Sequence, residues 1–136
     1  MKIALLIAAV LTFIGVSSAS VLAAQAETPA ETPGKKQLYH VVSLKFKPDA
    51  KPEQIKEVEE AFAALKTKVP GITSLHWGTN VSPEKRNHGF THCFVLTFAT
   101  EKDRDGYLVH PEHKAFGTLL GPILADVMVI DFEDGK

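Results

Sequence analysis

Phe90-Thr91-His92-Cys93-Phe94-Val95-Leu96-Thr97-Phe98 alternates with a period of two: Phe90, His92, Phe94, Leu96 and Phe98 fall on one side, and Thr91, Cys93, Val95 and Thr97 on the other. Successive side chains of a strand point to opposite faces, so this spacing predicts a strand with one strongly apolar face. The pattern recurs upstream from Leu38 to Phe46, with Leu38, His40, Val42, Leu44 and Phe46 set against Tyr39, Val41, Ser43 and Lys45. Ile72 to Val81 sets Leu75, Trp77, Thr79 and Val81 against Ser74, His76, Gly78 and Asn80. In Leu124 to Phe132, Val127 and Val129 alternate with Met128 and Ile130.

Between these stretches the period becomes helical. Ile55, Val58, Phe62, Leu65 and Val69 recur at three- and four-residue spacing with Lys and Glu between them, and Pro70-Gly71 stops the pattern. Glu101 to Val109 reads as a short helix, His110-Pro111 interrupts it, and His113 to Leu120 resumes until Gly121-Pro122. Strand, helix, strand, strand, helix, strand is an α+β order, the ferredoxin-like βαββαβ sandwich. It predicts a four-stranded antiparallel sheet with helices on one face. The other face would carry Tyr39, Val41, Cys93, Val95 and one set from the last strand, which is too apolar to face water comfortably. A second copy packed there would bury it, so the expected assembly is a homodimer.

Outward from this core, Met1 to Ala26 differs in kind. Lys2 precedes an apolar run from Ile3 to Val16, then come small residues and Ala24-Gln25-Ala26, the layout of a secretory signal peptide with cleavage after Ala26. The competing reading is an uncleaved membrane anchor, since Ile3 to Ala24 is nearly long enough to span a bilayer. Cleavage is preferred because polar, helix-breaking sequence follows at once. The expected product is exported, periplasmic or secreted, without stable membrane association. Residues 27–36, ETPAETPGKK, contain no large apolar side chain and predict a flexible linker, with the folded domain spanning 37–134.

The 136 residues include 15 basic and 16 acidic side chains; without the first 26, which hold only Lys2, 14 and 16 remain. That balance offers no footprint for a phosphate backbone, so nucleic acid is not an expected partner. The single cysteine, Cys93, excludes an intramolecular disulfide, and its place in an apolar strand reads as a buried thiol.

Three pieces together resemble the stress-responsive A/B barrel (Dabb) family, a branch of the dimeric α/β barrels. They are Tyr39-His40-Val41-Val42-Ser43-Leu44-Lys45-Phe46; Trp77-Gly78 leading to Gly89-Phe90-Thr91-His92; and Tyr107-Leu108-Val109-His110-Pro111-Glu112-His113 with Phe116-Gly117. The resemblance spans nearly everything from Leu38 to Phe132 and implies a homodimer whose two ferredoxin-like sheets form a barrel. The family includes plant stress proteins and a plant polyketide cyclase. By that likeness His113 is the candidate general base and Tyr107 the stabiliser of a developing oxyanion, with no cofactor and no metal. His40, His92, Phe94 and Phe116 are the candidate ligand-lining residues.

His40 and His92 lie on the apolar faces of strands expected to be neighbours, so a pocket between sheet and helices would place two imidazoles near each other. Imidazole titrates near neutrality and moves protons in either direction. Plainer readings compete at each position. A histidine on an apolar strand face is commonly a hydrogen-bonded core residue, and His110-Pro111 reads as a helix cap with Pro111 in the first turn. Glu59, next to Val58 on the first helix, suits an alkyl-chain tunnel poorly. Zinc at His110 and His113 is weak, with no cysteine partner. Trp77 is expected to pack, and the loop Pro83 to His88 to be a solvated turn. The leading function is an exported homodimer binding a small, largely apolar molecule. The alternatives are a cofactor-free cyclase or lyase acting by His/Tyr acid–base chemistry, and a purely structural stress protein.

Overall fold

The computed structural model describes residues 36–135. The segment expected to be a signal peptide (1–26) and most of the expected linker lie outside the described residues. The elements are β1 (Leu38–Phe46), α1 (Pro52–Lys68), β2 (Ile72–Thr79), β3 (His92–Phe98), α2 (Glu101–Val109), α3 (Pro111–Leu120), a 3₁₀ turn (Gly121–Ile123) and β4 (Leu124–Glu133). The strands form one antiparallel sheet in the order β2-β3-β1-β4, the ferredoxin-like arrangement expected from the sequence. Among the described residues no helix is long and apolar enough to cross a membrane.

Local chemistry explains the helix ends. Pro52 opens α1, where its missing N–H loses no helical bond, and the Lys51 N–H donates to Gln54 Oε1 at 3.0 Å. Thr100 caps α2 by accepting from the Asp103 N–H. α3 begins at Pro111, two residues before the expected start, because His110 serves as its cap. Its Nδ1 accepts from the Glu112 N–H at 3.2 Å, so it satisfies a backbone donor. Gly71 turns the chain from α1 into β2 at φ +94, and a Cβ there would sit 3.2 Å from Asp103 Cβ.

The core lies between the helices and the even-numbered face of β1 and β3. Phe62 of α1 stacks on Phe94 at 3.9 Å and tilts against Phe116 of α3 at 4.6 Å, joined by Leu44, Val58, Leu65, Leu96 and Phe98. Each such buried side chain contributes about 1.5–3 kcal/mol by leaving water. β3 begins at His92, two residues later than the alternation suggested, although Thr91 already bonds to Leu44 O. Cys93 is half-buried and sits on the helix-free face, because β3 turns its odd residues away from the core; the expectation of a buried thiol is corrected accordingly.

That helix-free face carries the half-buried Val41, Cys93 and Val95 and the exposed Met128, Ile130 and Phe132, with Tyr39 stacked on Phe132 at 4.7 Å. β4 is an edge strand on which Val127 and Val129, on the helix side, are also exposed. A continuous apolar surface of this kind is what a second copy would cover.

Candidate functional site

The register decides which side chains can meet. His40 pairs with Leu96 and His92 with Leu44, so the two histidines share a face but lie four positions apart along the β1–β3 ladder, roughly 13 Å at a strand's rise. The expected pairing of these imidazoles is therefore wrong: antiparallel register sends them to opposite ends of the sheet. Each builds its own cluster.

At the first end, His40 of β1 meets Tyr107 of α2 and His113 of α3. Ring centroids lie 5.6 Å apart for His40 and Tyr107 and 4.3 Å for Tyr107 and His113. His40 Nδ1 bonds to Asp131 Oδ1 at 2.6 Å, and the other Asp131 oxygen accepts from Arg104. Arg104 and Tyr107 are three apart on α2, so both look towards the same edge of the sheet. A carboxylate accepts, so His40 Nδ1 is the donor of this bond. His113 Nδ1 likewise donates to Leu108 O at 3.1 Å, freeing Nε2.

Burial sets the protonation of this cluster. Tyr107 is 1% exposed, and desolvation pushes its phenol well above the ordinary tyrosine range, so it stays a neutral donor. His113 is lowered, first by burial and also by the nearby His40, against the hydrogen bond to Leu108. A neutral imidazole beside a neutral phenol pairs an acceptor of protons with a donor of hydrogen bonds, as a general base and an oxyanion stabiliser require.

At the other end, His92 is buried with both nitrogens engaged. Nε2 bonds to Glu59 Oε1 at 2.9 Å and Nδ1 to Thr91 Oγ1 at 2.8 Å. Phe46 meets the imidazole edge-on at 5.0 Å, and Trp77, stacked on Phe94 but 42% exposed, flanks it at 6.5 Å. Glu59 thus lies against an imidazole rather than on the wall of an apolar tunnel.

Phe94 and Phe116 belong to the core around Phe62; Phe116 also borders a small cavity of about 170 Å³ against Leu65. A cavity of about 260 Å³ adjoins Arg104 and Asp131, and one of about 610 Å³ touches His92. Tyr107, His113 and His40 line none of these three. Among the described residues no group of three or more His, Cys, Asp or Glu side chains is placed to hold a metal ion.

Sequence reasoning missed Asp131 and Arg104. Asp131 did leave a trace, an acid that follows the apolar run Val127 to Ile130 at a helix-facing position of β4. Arg104 sits in a run of charged residues and leaves none.

Residues 38–134 match the family described as Stress responsive A/B Barrel Domain (Dabb). The stress-response A/B barrel domain-containing protein HS1 of Arabidopsis thaliana is 35% identical over 94 residues, covering 69% of this chain and 86% of the relative. Olivetolic acid cyclase of Cannabis sativa is 26% identical over 97 residues, covering 71% and 96%. The crystal structure of a dimeric ferredoxin-like protein from Jannaschia sp. CCS1 superposes with a TM-score of 0.63 at 27% identity, covering 71% of this chain and 97% of that one.

Proposed function

Because the chain belongs to the stress-responsive A/B barrel (Dabb) family, we propose that it is a homodimer, exported by residues 1–26, that moves a proton on a small carbonyl compound at the His40–Tyr107–His113 cluster. The similarity to a cyclase and to a dimeric ferredoxin-like protein supports this reading. The observation that carries it is the buried neutral phenol of Tyr107 in ring contact with an imidazole whose Nε2 is unprotonated.

His113 takes the proton next to the carbonyl, and the Tyr107 hydroxyl donates to the oxygen on which charge develops. His40, oriented by Asp131, packs against the Tyr107 ring and holds it in place. Acid–base steps on these side chains require no metal or organic cofactor. Whether a carbon–carbon bond then closes or breaks depends on the substrate, which makes cyclase and lyase outcomes of one first step.

Solvent deuterium exchange into a panel of β-dicarbonyl compounds, followed by NMR, tests this. Exchange should fall about 100-fold or more in His113→Ala and in Tyr107→Phe. Equal exchange in wild type and His113→Ala would remove the base from the mechanism. A protein recovered from the cell envelope should begin at Glu27 by mass, and a chain there that retains Met1 contradicts cleavage and favours the membrane-anchor reading.

One observation favours a second reading, a structural stress protein. Tyr107 is 1% exposed and none of the three cavities reaches it or His113. Under this reading the cluster is a polar clamp between α2, α3 and the sheet, and no compound exchanges faster with the protein than without it.

A further inference from the structure

Arg104 makes no ring contact in the acid–base cluster, yet it closes a loop of interactions around it. Its Nη1 donates to one oxygen of Asp131 on β4, and the other Asp131 oxygen accepts from His40 Nδ1 on β1 at 2.6 Å. The His40 ring meets Tyr107 edge-on at 5.6 Å, and Tyr107 stands about one helical turn beyond Arg104 on α2. Three elements are tied side chain to side chain, and α2 supplies both ends of the tie.

Two features separate this tie from an ordinary surface ion pair. The carboxylate that Arg104 holds is the one that bonds a buried imidazole, and it stands on an edge strand with its side chain 28% exposed. Without a partner such a carboxylate gains by turning towards water and leaving His40. The surroundings would push it the same way. Glu101 and Glu133 line one hollow with Asp131, and Arg104 is the basic member of that lining. Like charges at close range repel, so Arg104 offsets a cluster of acids that would otherwise drive Asp131 outward.

Arg104 is itself held. Its Nε donates to Asp105 Oδ1 at 2.8 Å while Nη1 faces Asp131, so one planar guanidinium bridges two carboxylates. Its side chain is only 19% exposed, packed down over the edge of the sheet.

We propose that Arg104 is a positioning residue of the acid–base cluster. By holding one oxygen of Asp131 it keeps the other on His40 Nδ1, and so keeps the His40 ring against Tyr107. Arg104 acts through Asp131 and His40 and touches no substrate. Its effect on proton transfer rests on the reading of His40, Tyr107 and His113 as the reacting site; its hold on His40 does not.

Nitrogen-edited NMR of the full-length protein in water tests this through the His40 Nδ1–H, identified by its absence from His40→Gln. Its exchange with water should be about tenfold or more faster in R104Q, the equivalent of one charge-assisted hydrogen bond. R104M, which keeps the packed stem and loses the charge, should behave as R104Q does, and R104K should restore most of the protection. His113→Ala should leave the His40 signal in place. Deuterium exchange into the β-dicarbonyl panel should fall about tenfold in R104Q at saturating compound, with the half-saturating concentration unchanged. A His40 N–H as well protected in R104Q and R104M as in the wild type overturns the proposal, and so does an R104Q protein that exchanges compound as fast as an active wild type. If the wild type exchanges no compound and R104Q still loses the His40 signal, the hold on His40 stands and the acid–base reading falls, so the two failures are told apart.

Discussion

His40 and His92 face the same layer from neighbouring strands, and both bond a carboxylate, yet they occupy different chemical situations. The acid partner of His40, Asp131, is shared with Arg104, and the ring packs on Tyr107 with His113 beyond. His92 is closed: Glu59 takes one nitrogen, Thr91 the other, and aromatic rings flank it. The difference teaches that a histidine's role is set by how many partners its acid has and by what else the ring can reach. One end of the sheet holds an extended network suited to moving a proton, and the other holds a self-contained pair.

The largest expected effect tests that asymmetry directly. His92→Ala strands the Glu59 carboxylate in a part-buried position without its partner and should cost about 3 kcal/mol. His40→Ala leaves Asp131 paired with Arg104 and should cost only about 1–2 kcal/mol. Urea denaturation midpoints of the two variants decide, and a His40→Ala protein as unstable as His92→Ala breaks the comparison.

Alkaline pH should act through the first end. The Tyr107 phenol is raised in the folded chain, so above about pH 10 the unfolded chain loses its proton first and folding loses stability as pH rises. Between pH 10 and 11 this amounts to about 1 kcal/mol, and Tyr107→Phe should lack it. Parallel pH–stability curves for wild type and variant would contradict the assignment.

His110, between Tyr107 and His113, sharpens the contrast from within one cluster. As a helix cap it should cost about 0.5–1 kcal/mol when changed to Ala, measured by thermal unfolding, with exchange chemistry left largely in place. Loss of exchange equal to that of His113→Ala would move it into the site.

The smallest effect is at acid pH. His113 is lowered, so as pH falls below 6.5 the unfolded chain takes up the proton before the folded one; the stability present above pH 6.5 is lost through the folded value. His113→Gln should flatten this decline, visible in denaturation between pH 7 and 5. A steeper decline in the variant would reverse the sign.

Much of this was legible before any coordinates. Period-two stretches named the strands and which residues share a face, and Pro52, Pro70-Gly71 and His110-Pro111 marked the helix boundaries within a residue or two. Tyr107 and His113 were singled out through the family resemblance, and the structure keeps them in contact because α3 restarts at Pro111 directly after α2. Partners remote in sequence were illegible. His40 and Asp131 are 91 residues apart, and His92 and Glu59 are 33 apart. No local pattern states which acid a histidine will find.

Alternation of side chains is a local consequence of strand geometry, so composition and spacing alone determined an α+β order with one apolar face too many for a solitary copy. Position along the ladder is not local. Only the register of β1 on β3 and β4 decided that His40 and His92 stand at opposite ends and that Asp131 arrives beside His40, and only the packing of α1 on the sheet brought Glu59 to His92. Strand pairing sums many weak contacts between distant segments, and a shift of one residue would send every side chain to the other face.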